Sequence, residues 1–141
     1  MLGGIDTEKS YPYMGALSNY HCTASSGVKG AFFKKVVKLP ANEEALKIAT
    51  ATQGPISVAI HVKGSFLEQF HSEGVYYAPN CLDSASKHAV TVVGYGTENG
   101  QDYWLVKNSW GTGWGEEGYI KMSRNMNNNC GIATEACYAV A

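Results

Sequence analysis

Between two runs rich in Val and aromatic residues, 88–95 and 103–108, the sequence places Asn99-Gly100. This dipeptide accepts positive φ at both central turn positions, and so predicts a tight β-hairpin. His88 begins the first run and Asn108 ends the second, and the midpoint of those positions, 98, falls inside the turn region. Antiparallel pairing is therefore expected to set the two side chains nearly opposite, with Cβ atoms roughly 5 Å apart.

A carboxamide beside an imidazole admits two readings. In the first, the amide oxygen accepts from one ring nitrogen and fixes the tautomer, leaving the other nitrogen to exchange a proton with a nucleophile. In the second, His88 is a strand residue hydrogen-bonded for structural reasons and Asn108 a turn residue. The residues that follow, Ser109-Trp-Gly-Thr-Gly-Trp-Gly115, combine glycines that admit positive φ with two bulky indoles. Core packing is the alternative role for Trp110 and Trp114.

A chain of 141 residues, 45% apolar, is long enough for one core and too apolar for disorder. The net charge of −1, with acids and bases interspersed, gives no electrostatic case for nucleic acid or anionic membrane partners. No apolar run approaches the roughly 18 residues needed to span a bilayer, and Met1-Leu-Gly-Gly-Ile-Asp6 lacks the build of a signal peptide. The four cysteines are compatible with buried thiols, a metal site or disulfides. They lack C-x-x-C spacing, and the histidines at 21, 61, 71 and 88 form no ligand cluster in sequence, so no metal is expected.

Along the chain, Gly3-Gly4, Ser10-Tyr-Pro-Tyr13, Gly15 and Ser25-Ser-Gly27 read as connecting structure. Residues 31–39 read as a strand, with Lys34, Lys35 and Lys38 as a solvated face. Asn42 is expected to cap a short helix with Glu43 and Glu44 in its first turn, Ala45, Ile48, Ala49 and Thr52 on one face, and Gly54-Pro55 at its end. Residues 56–61 alternate as a half-buried strand with Ile56, Val58 and Ile60 inward. Residues 65–70 suggest a helical turn, 74–79 a short strand and 118–122 another strand, antiparallel to the one before it.

Taken together, His88-Ala-Val, Val92-Val-Gly-Tyr-Gly96, Tyr103-Trp-Leu-Val-Lys-Asn-Ser-Trp-Gly111, Trp114-Gly and Gly118-Tyr resemble the His and Asn segments of papain-family cysteine proteases, closest to cathepsin L-like members. Gly4-Ile-Asp-Thr-Glu-Lys-Ser-Tyr-Pro-Tyr13, Gly54-Pro-Ile-Ser-Val-Ala59 and Cys130-Gly-Ile-Ala133 extend the resemblance through most of the chain. It implies an α+β fold: a papain-like right-hand domain, built as a twisted antiparallel sheet or partial barrel with short helices. Residues 31–141 would form that β-rich domain. Residues 1–30 would be a crossover and remnant of the left-hand domain, packing on an amino-terminal domain and leaving Tyr11, Tyr13 and Tyr20 as candidates for an exposed patch.

The resemblance also implies a cysteine-type endopeptidase with no metal or organic cofactor, in which His88 and Asn108 are catalytic and Trp110 shields their hydrogen bond. Such a family places the nucleophilic Cys roughly 130 to 150 residues before the His. Here only 87 residues precede His88, so the nucleophile is expected about 40 to 60 residues upstream of Met1, and the chain alone is expected to be inactive. A truncated, non-catalytic product that binds peptides, inhibitors or a complementary domain is the alternative. By the same resemblance, Cys81 and Cys130 pair as a disulfide, the partner of Cys22 lies upstream, and Cys137 has no usual counterpart. Expected partners are polypeptide substrates, cystatin-like or propeptide inhibitors and the amino-terminal protease domain, in a lysosomal or secreted setting.

Ala59 and Ala89 correspond to positions lining the pocket for the substrate residue second before the scissile bond, and Glu135 to its floor. An acid there implies acceptance of Arg or Lys as well as apolar side chains. Lys87 departs from the Asp or Asn usual before the histidine, and a cation there is expected to disfavour protonated His88.

Overall fold

The structure is a computed structural model that describes residues 4–12, 22, 27–62 and 74–141. The helical turn expected at 65–70, and Tyr13, Tyr20 and His71, lie outside the described residues. The chain divides into two compact units, Met1–Val37 with Ala139–Ala141, and Lys38–Tyr138.

In the first unit, strands β1 (Ile5–Asp6) and β2 (Lys29–Ala31) pair antiparallel, with Lys29 Nζ 2.7 Å from Asp6 Oδ1. The single strand expected over 31–39 is instead two: β2, then β3 (Lys35–Lys38), with residues 32–34 between them outside any strand. The doublets Phe32-Phe33 and Lys34-Lys35 break the period of two, so no one face of a continuous strand would be apolar. Ile5, Tyr11, Val28, Phe32, Phe33 and Val36 are all exposed.

The second unit carries the core. Helix α1 (Glu43–Gln53) starts where Asn42 Oδ1 accepts the Ala45 N–H at 2.7 Å, and ends at Gly54 with φ 96°. Its buried face is Leu46, Ala49 and Thr50, whereas Ile48 and Thr52 are exposed. The face expected from sequence was thus rotated about a quarter turn, since both stripes satisfy helical spacing. What decides between them is Leu46, fully buried in the core.

Among the described residues, strands β4 (Ile56–His61), β5 (Val75–Tyr76), β6 (Lys87–Glu98), β7 (Gln101–Lys107), β8 (Tyr119–Ser123) and β9 (Ala136–Val140) follow. Within this unit the sheet runs β9-β4-β6-β7-β8-β5. β7 and β8 are antiparallel as expected, and β5 lies parallel to β8. Ile56, Val58 and Ile60 point inward to meet Val90 and Val92 of β6, Trp104 and Val106 of β7, and Ile120 and Met122 of β8. Glu43 fastens the helix to the sheet and to the asparagine-rich loop: its carboxylate accepts from Trp104 Nε1 at 3.0 Å and from the backbone N–H groups of Asn125 and Asn128. Among the described residues the arrangement is α+β, one helix on a largely antiparallel sheet.

Candidate active site

The hairpin of β6 and β7 turns at Asn99 (φ 50°) and Gly100 (φ 79°), as their sequence demands. From the turn inward the register runs Glu98↔Gln101 to Gly94↔Leu105, then shifts, so that Val92 faces Val106 and Thr91 faces Lys107. This bulge at Val93 adds one residue to β6. Continuing the register past Thr91↔Lys107 puts Val90 across from Asn108, so His88 lies two residues further along. The expected direct opposition is therefore a diagonal one, because the turn centres between 99 and 100 rather than at 98; that alone would set Thr91 across from Asn108, and the bulge brings the partner back to Val90.

The diagonal still closes. His88 Nε2 lies 2.8 Å from Asn108 Oδ1. The amide orientation is fixed independently, because the same Oδ1 accepts the backbone N–H of Ser109 at 2.7 Å and so must be the oxygen. An oxygen acceptor requires that Nε2 carry the hydrogen, which leaves Nδ1 of the neutral ring with its lone pair free. Asn108 is held in place by its own backbone, whose N–H donates to Gly118 O at 3.0 Å, and its side chain is buried.

The loop that follows is closed by this bond and by Gly118 N–H to Trp114 O at 2.7 Å. Gly115 (φ 56°) is obligatory there, since a Cβ would sit 2.4 Å from Tyr119 O. The loop carries the Trp110 indole onto the His88 ring, with centroids 4.8 Å apart and planes inclined by 28°. Trp114 meets Trp110 edge to face at 5.3 Å and is itself buried, whereas Trp110 is 40% exposed. Trp114 thus supports an indole whose outer face meets solvent.

On the other side of β6, Ala89 pairs with Ala59 of β4, and the Ala59 N–H donates to Glu135 O at 3.1 Å. The three residues expected to line one pocket are therefore neighbours. Lys87, also on that side, pairs with His61, and its ammonium contacts the Glu135 carboxylate. That hydrogen bond, and then the charge of Lys87, hold the Glu135 carboxyl below the usual carboxylate range. Alternation sends the lysine to the opposite face of the strand from His88, and the Glu135 carboxylate balances its charge. Sequence reading missed this pair and the Ser109 N–H. Lys87 and Glu135 lie 48 positions apart and no local pattern joins them.

Cys81 and Cys130 form a disulfide, as the resemblance implied. It links two short 3-10 turns, Cys81–Asp83 and Asn129–Gly131, and so pins the segment that leads into β6. Cys22 and Cys137 are free thiols, the first exposed and the second half-buried. Among the described residues, no cysteine hydrogen-bonds to His88.

Comparison with known proteins gives the class that this fold and site define. The description "Papain family cysteine protease" matches residues 1–140, and the chain belongs to that family, as a cathepsin L-like member. It is 54% identical over 137 residues to Digestive cysteine proteinase 1 of Homarus americanus, covering 96% of this chain and 42% of that protein. It is 55% identical over 138 residues to Cathepsin L of Sarcophaga peregrina, covering 96% of this chain and 40% of that one. A solved structure of digestive procathepsin L 3 from the larval midgut of Tenebrio molitor superposes with a TM-score of 0.85 at 45% identity, covering 98% of this chain and 44% of that chain. The chain thus spans less than half the length of these relatives.

Proposed function

We propose that the chain supplies the proton-handling half of a cysteine endopeptidase centre, with the thiol contributed by an amino-terminal protease domain that these residues do not include. The observation that carries this reading is the His88–Asn108 pair, in which the amide oxygen fixes Nε2–H and leaves Nδ1 basic. In the assembled site, Nδ1 takes the proton of the cysteine thiol as sulfur attacks the scissile carbonyl. The imidazolium returns that proton to the departing amine, leaving a thioester on the enzyme. Nδ1 then accepts a proton from the water that attacks the thioester, and the imidazolium returns it to the cysteine sulfur as the carbon–sulfur bond breaks and the acid product leaves. Asn108 holds the ring through both halves, and Trp110 screens the hydrogen bond that does so.

The substrate is a polypeptide, with Ala59, Ala89 and Glu135 lining the subsite for the residue second before the scissile bond. Cystatin-like or propeptide inhibitors would cover the same cleft. A lysosomal or secreted setting agrees with the disulfide, which belongs to an oxidising route.

Purified chain treated with a thiol-reactive peptidyl epoxide should show no saturable labelling. Stoichiometric labelling that disappears in His88→Ala would overturn the division of the centre between two segments.

The exposed apolar side chains of the first unit, Phe32, Phe33 and Val36 among them, favour a second reading in which the chain acts only by binding a complementary domain, a peptide or an inhibitor. A fall in the turnover of an intact cathepsin L-like enzyme when the chain is added separates this from the first reading.

A further inference from the structure

Five residues come together on the outer face of the sheet where β4 meets β6. Ala59 and Ala89 face each other across the ladder, Lys87 stands opposite His61 one step along, and Glu135 joins them through its carbonyl bond to the Ala59 N–H. The opposite face of the same ladder carries Val58, Ile60 and Val90, all buried in the core, so the outer group is separate from the packing that holds the sheet together. The two alanines present only methyl groups. The opposite charges in contact here are Lys87 and Glu135, whose side chains are 44% and 49% exposed.

An acid on this face would by itself attract a cationic side chain, but here its charge is already met. We infer that Lys87 is a specificity-determining residue: by holding the Glu135 carboxylate, it makes this subsite select an apolar side chain over Arg or Lys. The inference rests on the subsite proposed above. An aliphatic side chain can pack on the alanine methyls and leave the ion pair intact. A guanidinium must displace the ammonium and then share the pocket with it as a like charge. Because the pair is solvent-exposed it is weak, so it acts as a filter rather than as a barrier.

The test uses the chain itself. Acetyl-leucine methylamide and acetyl-arginine methylamide are titrated in turn, and binding is read from the methyl NMR signals of Ala59 and Ala89. In the native chain the leucine probe should bind more tightly. In Lys87→Gln the arginine probe should gain about five- to ten-fold relative to leucine, as expected from removing one like charge at a wet site. Adding Glu135→Gln should cancel that gain. If both probes shift the alanine methyls and Lys87→Gln leaves their ratio unchanged, the role given to Lys87 is wrong while the subsite stands. If neither probe moves those methyls in any variant, the subsite is wrong and the inference falls with it.

Discussion

Asn108 serves two donors with one oxygen, and this makes it more than a partner for the histidine. Removing the carboxamide strands the Ser109 N–H as well as His88 Nε2. Asn108→Ala should therefore cost about 2 kcal/mol in urea denaturation, the scale of losing a buried acceptor. It should also release the tautomer. Nitrogen NMR of the imidazole is expected to show protonation confined to Nε2 in the native chain and shared between Nε2 and Nδ1 in the variant. Confinement that survives the substitution would mean that something other than Asn108 sets the ring.

Elements in this chain are defined by which stripe they bury, and α1 illustrates how that is tested. Leu46→Ala should cost about 2–5 kcal/mol, and Ile48→Ala less than about 0.5 kcal/mol, in thermal or denaturant unfolding. The reverse ranking would restore the face first read from the sequence. The hairpin has its own signature in pH. Hydrogen bonds from Thr97 and then Asn125, with help from the Arg124 charge, hold the Asp102 carboxyl below its ordinary range. A carboxyl depressed in the folded state stabilises above its unfolded pKa, about 4, and that stability is lost as pH falls through the folded value. Unfolding midpoints should thus drop on acidification below pH ~4, and Asp102→Asn should flatten the drop. Much of this level was legible beforehand. Asn99-Gly100 placed the turn, Ile56, Val58 and Ile60 declared their face, and Asn42 marked a helix start. The bulge at Val93 was not legible, because nothing in Val92-Val-Gly94 distinguishes an extra residue from a regular one. Nor was the Lys87–Glu135 pair, since charges brought together by strand order leave no periodic trace.

For the molecule as a whole, the Cys81–Cys130 link closes a loop across 49 positions, a constraint worth about 4 kcal/mol in the chain-entropy account. Reduction should lower the unfolding midpoint by that equivalent. Hydrogen exchange should then rise first near residues 78–87, where Asn129 otherwise holds Ala78 by two hydrogen bonds. The resemblance read from sequence supplied this pairing and the fold class, whereas strand order alone would have supplied neither. The bulge has a further bearing on how the chain can change in length. Side chains alternate along a strand, so removing one residue from the regularly paired stretch, Thr97 for instance, would exchange inside for outside on one side of the break, whereas removing Val93 would only straighten the ladder. Residues can be added at the 99–100 bend without that penalty, because nothing beyond it depends on parity. A ribbon built this way tolerates growth at its tip and resists single-residue edits along its stem, and so keeps the imidazole and the carboxamide within reach while its outer end varies.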